Sequence, residues 1–250
     1  MGIEIRARPE PPQTGVAEPA GVVPQPEGGD AAPLPARPAP ARLVLVRHGQ
    51  STWNRDHRIQ GQLDPPLSEE GRRQAGVLGA RLAGRKFVGS YASDLKRALE
   101  TAEVIGDLVG IRPEHTPALR EIYLGGWEGL RTEEIAQQFP DAWAAWVADP
   151  DWDVVPGGEG AANFDTRVGA ALDELLKRHQ NGDVLVVTHG GVIQVALHRI
   201  VGRPSRGLFP FKIQNASISL IEKRNGRMVI GGVNDIAHLE ETLVTEPGPS

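Results

Sequence analysis

Two histidines of this chain each follow a run of aliphatic residues and precede a glycine. His48 comes after Leu-Val-Leu-Val at 43–46, and His189 comes after the apolar segment 183–187. In open α/β sheets, ligands bind beyond the carboxyl ends of the strands, so neighbouring parallel strands would bring both imidazoles to one pocket. The chain holds no cysteine, which excludes a thiolate nucleophile. A neutral imidazole can attack an electrophile without a separate base, and His48 is therefore the candidate nucleophile.

Two arginines accompany these histidines. Arg47 directly precedes the first one, and Arg97 falls in the first turn of a helix predicted over 93–110. A guanidinium matches phosphate oxygens and a helix N-terminus adds unpaired N–H groups, so the pattern predicts a phosphoryl site, to which Asn54 adds an amide donor. Such cations can stabilise a transferring phosphoryl group without a metal. We expect neither metal nor cofactor, because a zinc site built from the two histidines lacks a third ligand with metal spacing.

The leaving group of a phosphoryl transfer needs a proton donor. The segment 119–130 holds two carboxylates, Glu121 and Glu128. Glu121 directly follows an apolar stretch and is the better candidate for the general acid, while Glu128 remains an alternative. The same carboxylate would then deprotonate the water that hydrolyses the phosphohistidine.

These side chains require a framework of alternating strands and helices. Runs of aliphatic and β-branched residues predict strands at 42–46, 87–92 and 183–187. Apolar residues at helical spacing predict helices at 67–83, where Ser68 can cap, and at 93–110, 161–179 and 190–202. Two further strands at 217–233 flank Asn225-Gly226, a hairpin signal. The chain is thus predicted to form an α/β fold, a three-layer α/β/α sandwich with a mostly parallel central sheet and an antiparallel edge.

The composition limits the partners and the compartment. The chain has 250 residues, of which 40% are hydrophobic and 24% are charged, and its net charge is −5. It lacks the basic stripe that binding to nucleic acid or to an anionic membrane requires. No secretory signal or membrane span is evident. We therefore expect a cytoplasmic protein with no nucleic-acid and no membrane partner, and the choice between a monomer and a homodimer stays open.

The chain divides into three parts by composition. Residues 1–41 are rich in Pro, Ala, Gly and Glu, contain no aromatic residue and are predicted to be a disordered tail. Residues 42–240 form one domain, and 241–250 form a flexible C-terminal tail. Within the domain, 121–160 contains four of the five tryptophans and interrupts the alternation of elements. We expect this segment to be an insertion that lies over one end of the sheet, with its tryptophans packed against each other.

Six motifs in order resemble the histidine phosphatase superfamily, also called the phosphoglycerate mutase-like family. The similarity covers residues 42–239 and is carried by RHGQSTWN, QGQLDPPLSEEGRRQA, SDLKRALETA, LREIYLGGWEGL, THGG and NASISLIE, followed by a late NDIAHL. The resemblance implies an α/β/α fold and phosphohistidine chemistry without a metal. One departure is Gly160, which follows Gly-Gly-Glu where the family often has a serine.

The resemblance also implies roles for individual residues. His48 matches the phosphorylated histidine, Arg47 and Arg97 match the arginines that grip phosphate, His189 matches the second histidine and Glu121 matches the acid. Four further positions match the substrate pocket of the family: Asn54, Gln60, Gly61 and Gly190.

Three functions remain open at this stage. The first is a phosphomonoester phosphatase acting on a small phosphorylated metabolite, and the second is a cofactor-dependent phosphoglycerate mutase. The third is a non-catalytic module that binds phosphate. A mutase must hold a second anionic group, and few basic residues lie between Glu121 and His189, so the sequence favours the phosphatase. The motifs resemble those of glucosyl-3-phosphoglycerate phosphatases, while phosphoserine and α-ribazole phosphate remain alternative substrates.

Overall fold

A computed structural model of the chain describes residues 40–207 and 210–240. Its centre is a six-stranded sheet in the order β3-β2-β4-β1-β5-β6. The strands are β1 (Arg42–Arg47), β2 (Phe87–Ser93), β3 (Glu114–Thr116), β4 (Asp183–Thr188), β5 (Ile218–Arg224) and β6 (Arg227–Asp235). The first four are mutually parallel, whereas β5 and β6 are antiparallel and close one edge. This topology confirms the predicted mostly parallel sheet with an antiparallel edge.

Eight helices accompany the sheet in the described part of the chain. They are α1 (Thr52–Arg55), α2 (Glu69–Leu82), α3 (Lys96–Val109), α4 (Thr132–Gln138), α5 (Pro140–Ala148), α6 (Ala161–Arg178), α7 (Gly190–Val201) and α8 (Ala237–Glu240). The alternation of side chains along β1 explains the layers: Val44 and Val46 pack with residues of α2 and α3, while Leu43 and Leu45 pack with residues of α6 and α7. The predicted three-layer α/β/α sandwich is therefore confirmed.

Local sequence fixes where the helices begin and end. The Ser68 hydroxyl accepts the Gly71 N–H at 3.0 Å, so α2 begins one residue later at Glu69. Helix α3 begins at Lys96 rather than at 93, because Ser93 still belongs to β2. It ends where Gly110 takes a left-handed conformation with φ of 75°.

The segment 121–160 folds as two helices and two short 3₁₀ turns. Four tryptophans hold it together, with ring centroids 6.1 Å apart for Trp127 and Trp143, 5.5 Å for Trp127 and Trp146, and 5.0 Å for Trp146 and Trp152. Trp127 and Trp152 are buried. These tryptophans thus build the core of the insertion, with Trp127 packed edge to face on Trp143 and Trp146, and Trp146 tilted against Trp152.

The folded domain begins slightly earlier than the sequence indicates. Pro40 pairs with Asn181, and the buried Ala41 accepts the Lys223 N–H at 2.9 Å. These two residues, assigned to the tail by composition, extend the pairing of β1. The rest of the predicted N-terminal tail and the whole C-terminal tail lie outside the described residues. No helix in the described ranges combines the length and the apolar composition needed to cross a membrane.

Candidate active site

His48 lies directly after β1, buried at the carboxyl end of the sheet. Its Nδ1 is 2.6 Å from the Gly49 carbonyl oxygen. Because a carbonyl only accepts, Nδ1 must carry the proton, which leaves the lone pair on Nε2. Burial, and then the charges of Arg97 and Arg47, hold the pKa of His48 well below its usual 6.5. The ring is therefore neutral and presents an unprotonated nitrogen.

His189 stands beside it because β1 and β4 pair in parallel, with Arg47 opposite Thr188. The two imidazole centroids are 5.1 Å apart, at an interplanar angle of 62°. Burial and the charge of Arg97 also hold the pKa of His189 well below its usual 6.5. Its Nε2 lies 2.8 Å from the hydroxyl of Ser93 at the end of β2, and its Nδ1 has no hydrogen-bond partner among the described residues.

Both predicted arginines reach this end of the sheet. Arg47 donates to the Ile213 carbonyl at 2.6 Å, and Arg97 donates to the carbonyls of Gly61 and Leu63 at 2.7 and 2.8 Å. Neither forms an ion pair within the described part of the chain, and the Nε of each is buried without a partner there. Burial lowers the pKa of Arg97 to about 10, so its side chain is still cationic at neutral pH. Two guanidinium groups thus lie beside the nucleophile, and neither forms a direct ion pair among the described residues, although the charge of Glu121 acts on both.

The two candidate acids occupy different environments. Glu121 lines the central cavity, and its carboxylate oxygens accept the N–H groups of Ile122 at 3.0 Å and Gly191 at 3.1 Å. Glu128 instead accepts the N–H groups of Gln62 and Leu124, at 2.7 and 3.0 Å, and does not line that cavity. One carboxylate therefore faces the histidine pair, while the other braces two loops against each other.

The cavity has a volume of about 430 Å³. Eight of the nine predicted site residues line it: Arg47, His48, Asn54, Gln60, Gly61, Arg97, Glu121 and Gly190. The ninth, His189, does not line the cavity but lies fully buried next to His48. The structure thus brings together every residue that the sequence analysis selected for the site.

The predicted pocket residues also support each other. Asn54 accepts the Ser51 N–H at 3.1 Å, and Gln60 accepts the Ser51 hydroxyl at 2.7 Å. Gly61 has a φ of 52°, and a Cβ at this position would collide with the side chain of Glu128. Glycine is therefore required there by both conformation and space.

Residues that the sequence analysis did not select complete the lining. Arg58, Lys212 and Gln194 contribute polar groups, and Ile59, Leu124, Trp152 and Phe211 contribute apolar walls. The sequence analysis found few basic residues near the pocket because it counted only the stretch between Glu121 and His189. Lys212 comes from the loop between α7 and β5, where no periodicity or motif marks it.

Gly160 is the N-cap residue of α6 and provides no side-chain cap. Asp153 accepts the N–H of Ala161, the first residue of α6, at 2.8 Å. This carboxylate satisfies the first N–H of the helix, whereas a serine at position 160 would accept the N–H of the second or third helical residue. A carboxylate seven residues upstream carries no recognisable sequence signal for such a role.

Comparisons with known proteins agree with this geometry. The family model described as "Histidine phosphatase superfamily (branch 1)" matches residues 43–236. The chain is 37% identical over 210 residues to a metal-independent phosphoserine phosphatase of Arabidopsis thaliana, a match that covers 82% of this chain and 86% of the relative.

Two solved structures share the fold. A mycobacterial glucosyl-3-phosphoglycerate phosphatase is 32% identical with a TM-score of 0.70, over 77% of this chain and 98% of that one. A putative α-ribazole-5'-P phosphatase of Escherichia coli is 28% identical with a TM-score of 0.72, over 78% of this chain and 97% of that one. The expected family is confirmed: the chain belongs to the histidine phosphatase superfamily, and it is an enzyme of the phosphatase type.

Proposed function

We propose that this protein hydrolyses small phosphomonoesters through a phosphohistidine at His48. The observation that carries this proposal is the unprotonated Nε2 of a buried, neutral ring, held beside two guanidinium groups without ion-pair partners among the described residues. The nucleophile needs no base, and the cations are placed where charge develops on the phosphoryl oxygens.

The reaction has two steps that share one carboxyl group. In the first, Nε2 of His48 forms a bond to phosphorus, the bond to the leaving oxygen breaks, and protonated Glu121 gives that oxygen its proton. In the second, water attacks phosphorus, the P–N bond breaks and Glu121 takes the proton from the water. Inorganic phosphate leaves, and the enzyme returns to its starting state without a metal or a cofactor.

The second histidine suits a donor role in both steps. A neutral imidazole carries one N–H, and a hydroxyl of Ser93 that donates to Nε2 places that N–H on Nδ1 of His189. This nitrogen has no other partner among the described residues and can donate to a phosphoryl oxygen held by the neighbouring ring.

The charge of the cavity supports a phosphatase over a mutase. A mutase binds a second phosphate in addition to a carboxylate, and so needs several more cations. Beyond Arg47 and Arg97, the described residues of the lining offer only Arg58 and Lys212 as further cations. Arg58 is ion-paired with Glu134 at 3.2 Å. A non-catalytic module, the third alternative, would not need a nucleophile and a carboxyl group in one cavity.

The substrate is a small organic phosphate, and we include among its candidates a sugar-acid phosphate such as glucosyl-3-phosphoglycerate. Two similar proteins, a phosphoserine phosphatase and a glucosyl-3-phosphoglycerate phosphatase, support a small organic phosphate as the substrate. The cytoplasmic location, the absence of nucleic-acid and membrane partners, and the choice between monomer and homodimer stay predictions.

The proposal is tested by looking for the covalent intermediate. Full-length protein incubated with a ³²P-labelled phosphomonoester and quenched should carry an acid-labile, base-stable label. His48→Ala should carry none and should lose at least about a thousandfold in kcat, because no other group can accept the phosphoryl unit.

The exposed His57 provides a matched control, since it lies outside the cavity. His57→Asn should label like the unaltered protein. Turnover without any label, or a label that persists in His48→Ala, would contradict the assignment of the nucleophile.

A further inference from the structure

Thr101 lies on α3 one helical turn after Arg97 and is buried. It belongs to the segment SDLKRALETA, in which the sequence analysis gave a role only to Arg97. Its hydroxyl donates to the Arg97 carbonyl at 2.6 Å and accepts the Gly49 N–H at 3.1 Å. One hydroxyl group thus connects the turn of α3 that carries the proposed phosphate-binding arginine to the residue that follows the nucleophile.

The bond from Thr101 to Arg97 has an ordinary local explanation. A threonine in a helix can donate to the carbonyl four residues earlier, and Thr166 of α6 makes the same bond to Ala162 at 2.8 Å. The bond from Gly49 is different, because it comes from another part of the chain and satisfies a buried N–H. This second bond requires a hydroxyl at position 101.

The Gly49 N–H belongs to the peptide group that joins it to His48, and both polar ends of this group are held. The carbonyl end accepts the Ala216 N–H at 3.1 Å and the side-chain amide of Asn215 at 3.1 Å. The N–H end donates to Thr101. The peptide group of the nucleophile is therefore fixed between α3 and the segment that precedes β5.

Gly49 itself adds little stiffness to this arrangement. A Cβ at this position would collide with the carbonyl oxygen of Gly71, so only glycine fits, and glycine has the greatest backbone freedom of all residues. The Gly49 carbonyl also accepts the Nδ1 proton of His48 and so orients the ring. Hydrogen bonds to neighbouring elements, and not the chain itself, therefore hold the attacking nitrogen in place.

We propose that Thr101 is a positioning residue that aligns the attacking imidazole of His48 with the guanidinium of Arg97. Because α3 carries both Thr101 and Arg97, the hydroxyl sets the distance between the nucleophile and a group that binds the phosphoryl oxygens. Such alignment matters, since a displacement of about 1 Å can cost about a hundredfold in rate. This inference rests on the proposed phosphatase function and adds to it a residue outside the cavity lining.

The variant Thr101→Val tests this role because it removes the hydroxyl at nearly constant volume. Full-length protein is mixed with ³²P-labelled p-nitrophenyl phosphate or phosphoserine, and the phosphorylation of His48 is followed by rapid quench at several substrate concentrations. We expect the maximal rate to fall by about tenfold or more for both substrates, because phosphoryl transfer itself is misaligned. The half-saturating concentration should change by less than about twofold, because both arginines still bind phosphate.

Two further variants separate alignment from packing. Thr101→Ser keeps the hydroxyl and should stay within about threefold of the unaltered rate. Thr166→Val removes the equivalent bond within the exposed part of α6 and should keep both constants. A Thr101→Ser variant as slow as Thr101→Val would assign the defect to the lost methyl group and overturn the proposal, as would an unchanged rate in Thr101→Val.

Hydrogen exchange tests the bond without reference to activity. In Thr101→Val the Gly49 amide should exchange at least about tenfold faster than in the unaltered protein, relative to the amide of Leu45 in β1. If the exchange changes in this way but the unaltered protein hydrolyses neither substrate, the bond is right and the proposed function is wrong. If the protein is an active phosphatase and Thr101→Val changes neither exchange nor rate, the positioning role alone is wrong.

Discussion

At the scale of single residues, hydrogen bonds to neighbouring groups determine which ring nitrogen of His48 and of His189 carries the proton. The Gly49 carbonyl selects Nδ1 of His48 and so leaves Nε2 free to attack. If the Ser93 hydroxyl donates to Nε2 of His189, the proton of that ring is on Nδ1. The Ser93 hydroxyl also accepts the Leu95 N–H at 3.3 Å, and its one hydrogen remains available for donation to Nε2 of His189. Ser93 is thus a positioning residue that acts through His189.

This role predicts a specific defect for Ser93→Ala. Without the hydroxyl, Nε2 of His189 is buried without a partner and the neutral ring no longer has a fixed tautomer. We expect kcat to fall by about tenfold with little change in KM, because the donor is used mainly in the transition state. ¹⁵N NMR of the imidazoles should show the proton on Nδ1 of His189 in the unaltered protein and a mixture of tautomers in the variant.

Ser90 offers a control on the same strand, since its buried hydroxyl has no hydrogen-bond partner among the described residues. Ser90→Ala should keep both kcat and the tautomer. A Ser93→Ala variant with an unchanged ¹⁵N spectrum would contradict the assignment of the proton.

The sequence alone predicts some of the site residues but not others. Arg47, His48 and His189 were predictable because each ends a buried strand, where polar groups have no structural reason to be. The sequence favours Glu121 over Glu128 because Glu121 follows an apolar stretch, and its place in the cavity lining, which Glu128 does not share, supports this proposal. Lys212 was not predictable, because its position depends on the path of a loop.

At the scale of elements, helix α6 fixes the segment that carries the acid. Arg167 donates to the carbonyls of Ala118, Arg120 and Glu121 at 3.0, 2.9 and 3.2 Å. Its guanidinium is in turn held by both carboxylate oxygens of Glu159 at 2.8 Å each. The backbone on which Glu121 stands is therefore tied to a long helix by one side chain.

Replacing this side chain should impair proton donation more than phosphate binding. In Arg167→Lys a single ammonium cannot reach three carbonyls and Glu159 together, so Glu121 loses its fixed position. We expect kcat for alkyl phosphates to fall by about ten- to a hundredfold, and that for p-nitrophenyl phosphate to fall much less, since an aryl leaving group needs little protonation. Glu121→Gln should show the same split, more strongly.

Arg178 is the matched control, because it lies on the same helix and pairs with the exposed Glu114 at 3.1 Å. Arg178→Lys should leave both activities unchanged. Equal losses on alkyl and aryl substrates in Arg167→Lys would indicate a general loss of structure instead of a displaced acid.

Most helices and strands were predictable from the sequence, but the residues at which they begin and end were less so. Long amphipathic patterns identified α2, α3, α6 and α7, and Asn225-Gly226 identified the hairpin of β5 and β6, because burial imposes these patterns locally. The short helix α1 was not predicted. It has only four residues, and the polar residues Ser51 and Asn54 that cap it are typical of a loop in the sequence. Pro40 and Ala41 were misassigned because their pairing partners are distant in sequence.

At the scale of the whole molecule, the fold buries the rings of His48 and His189 at the carboxyl end of the sheet. Both histidines have pKa values held well below 6.5 by burial and by the arginines, so the native state keeps them neutral. The unfolded chain can protonate them as soon as the pH falls below about 6.5. Unfolding therefore takes up protons at acidic pH, and the free energy of unfolding must fall as the pH falls through this range.

This linkage predicts the slope of stability against pH. Below about pH 6.5 each buried ring should add a positive slope of at most about 1.4 kcal/mol per pH unit, so stability should rise with pH and then level off above about pH 7. Urea unfolding of full-length protein at several pH values measures this slope. His189→Gln should reduce this slope, whatever its effect on stability at neutral pH. Replacement of the exposed His57 by Asn should keep the slope of the unaltered protein. A slope that His189→Gln does not change would mean that this ring is protonated in the native state, and the donor pattern proposed for the active site would then have to be abandoned.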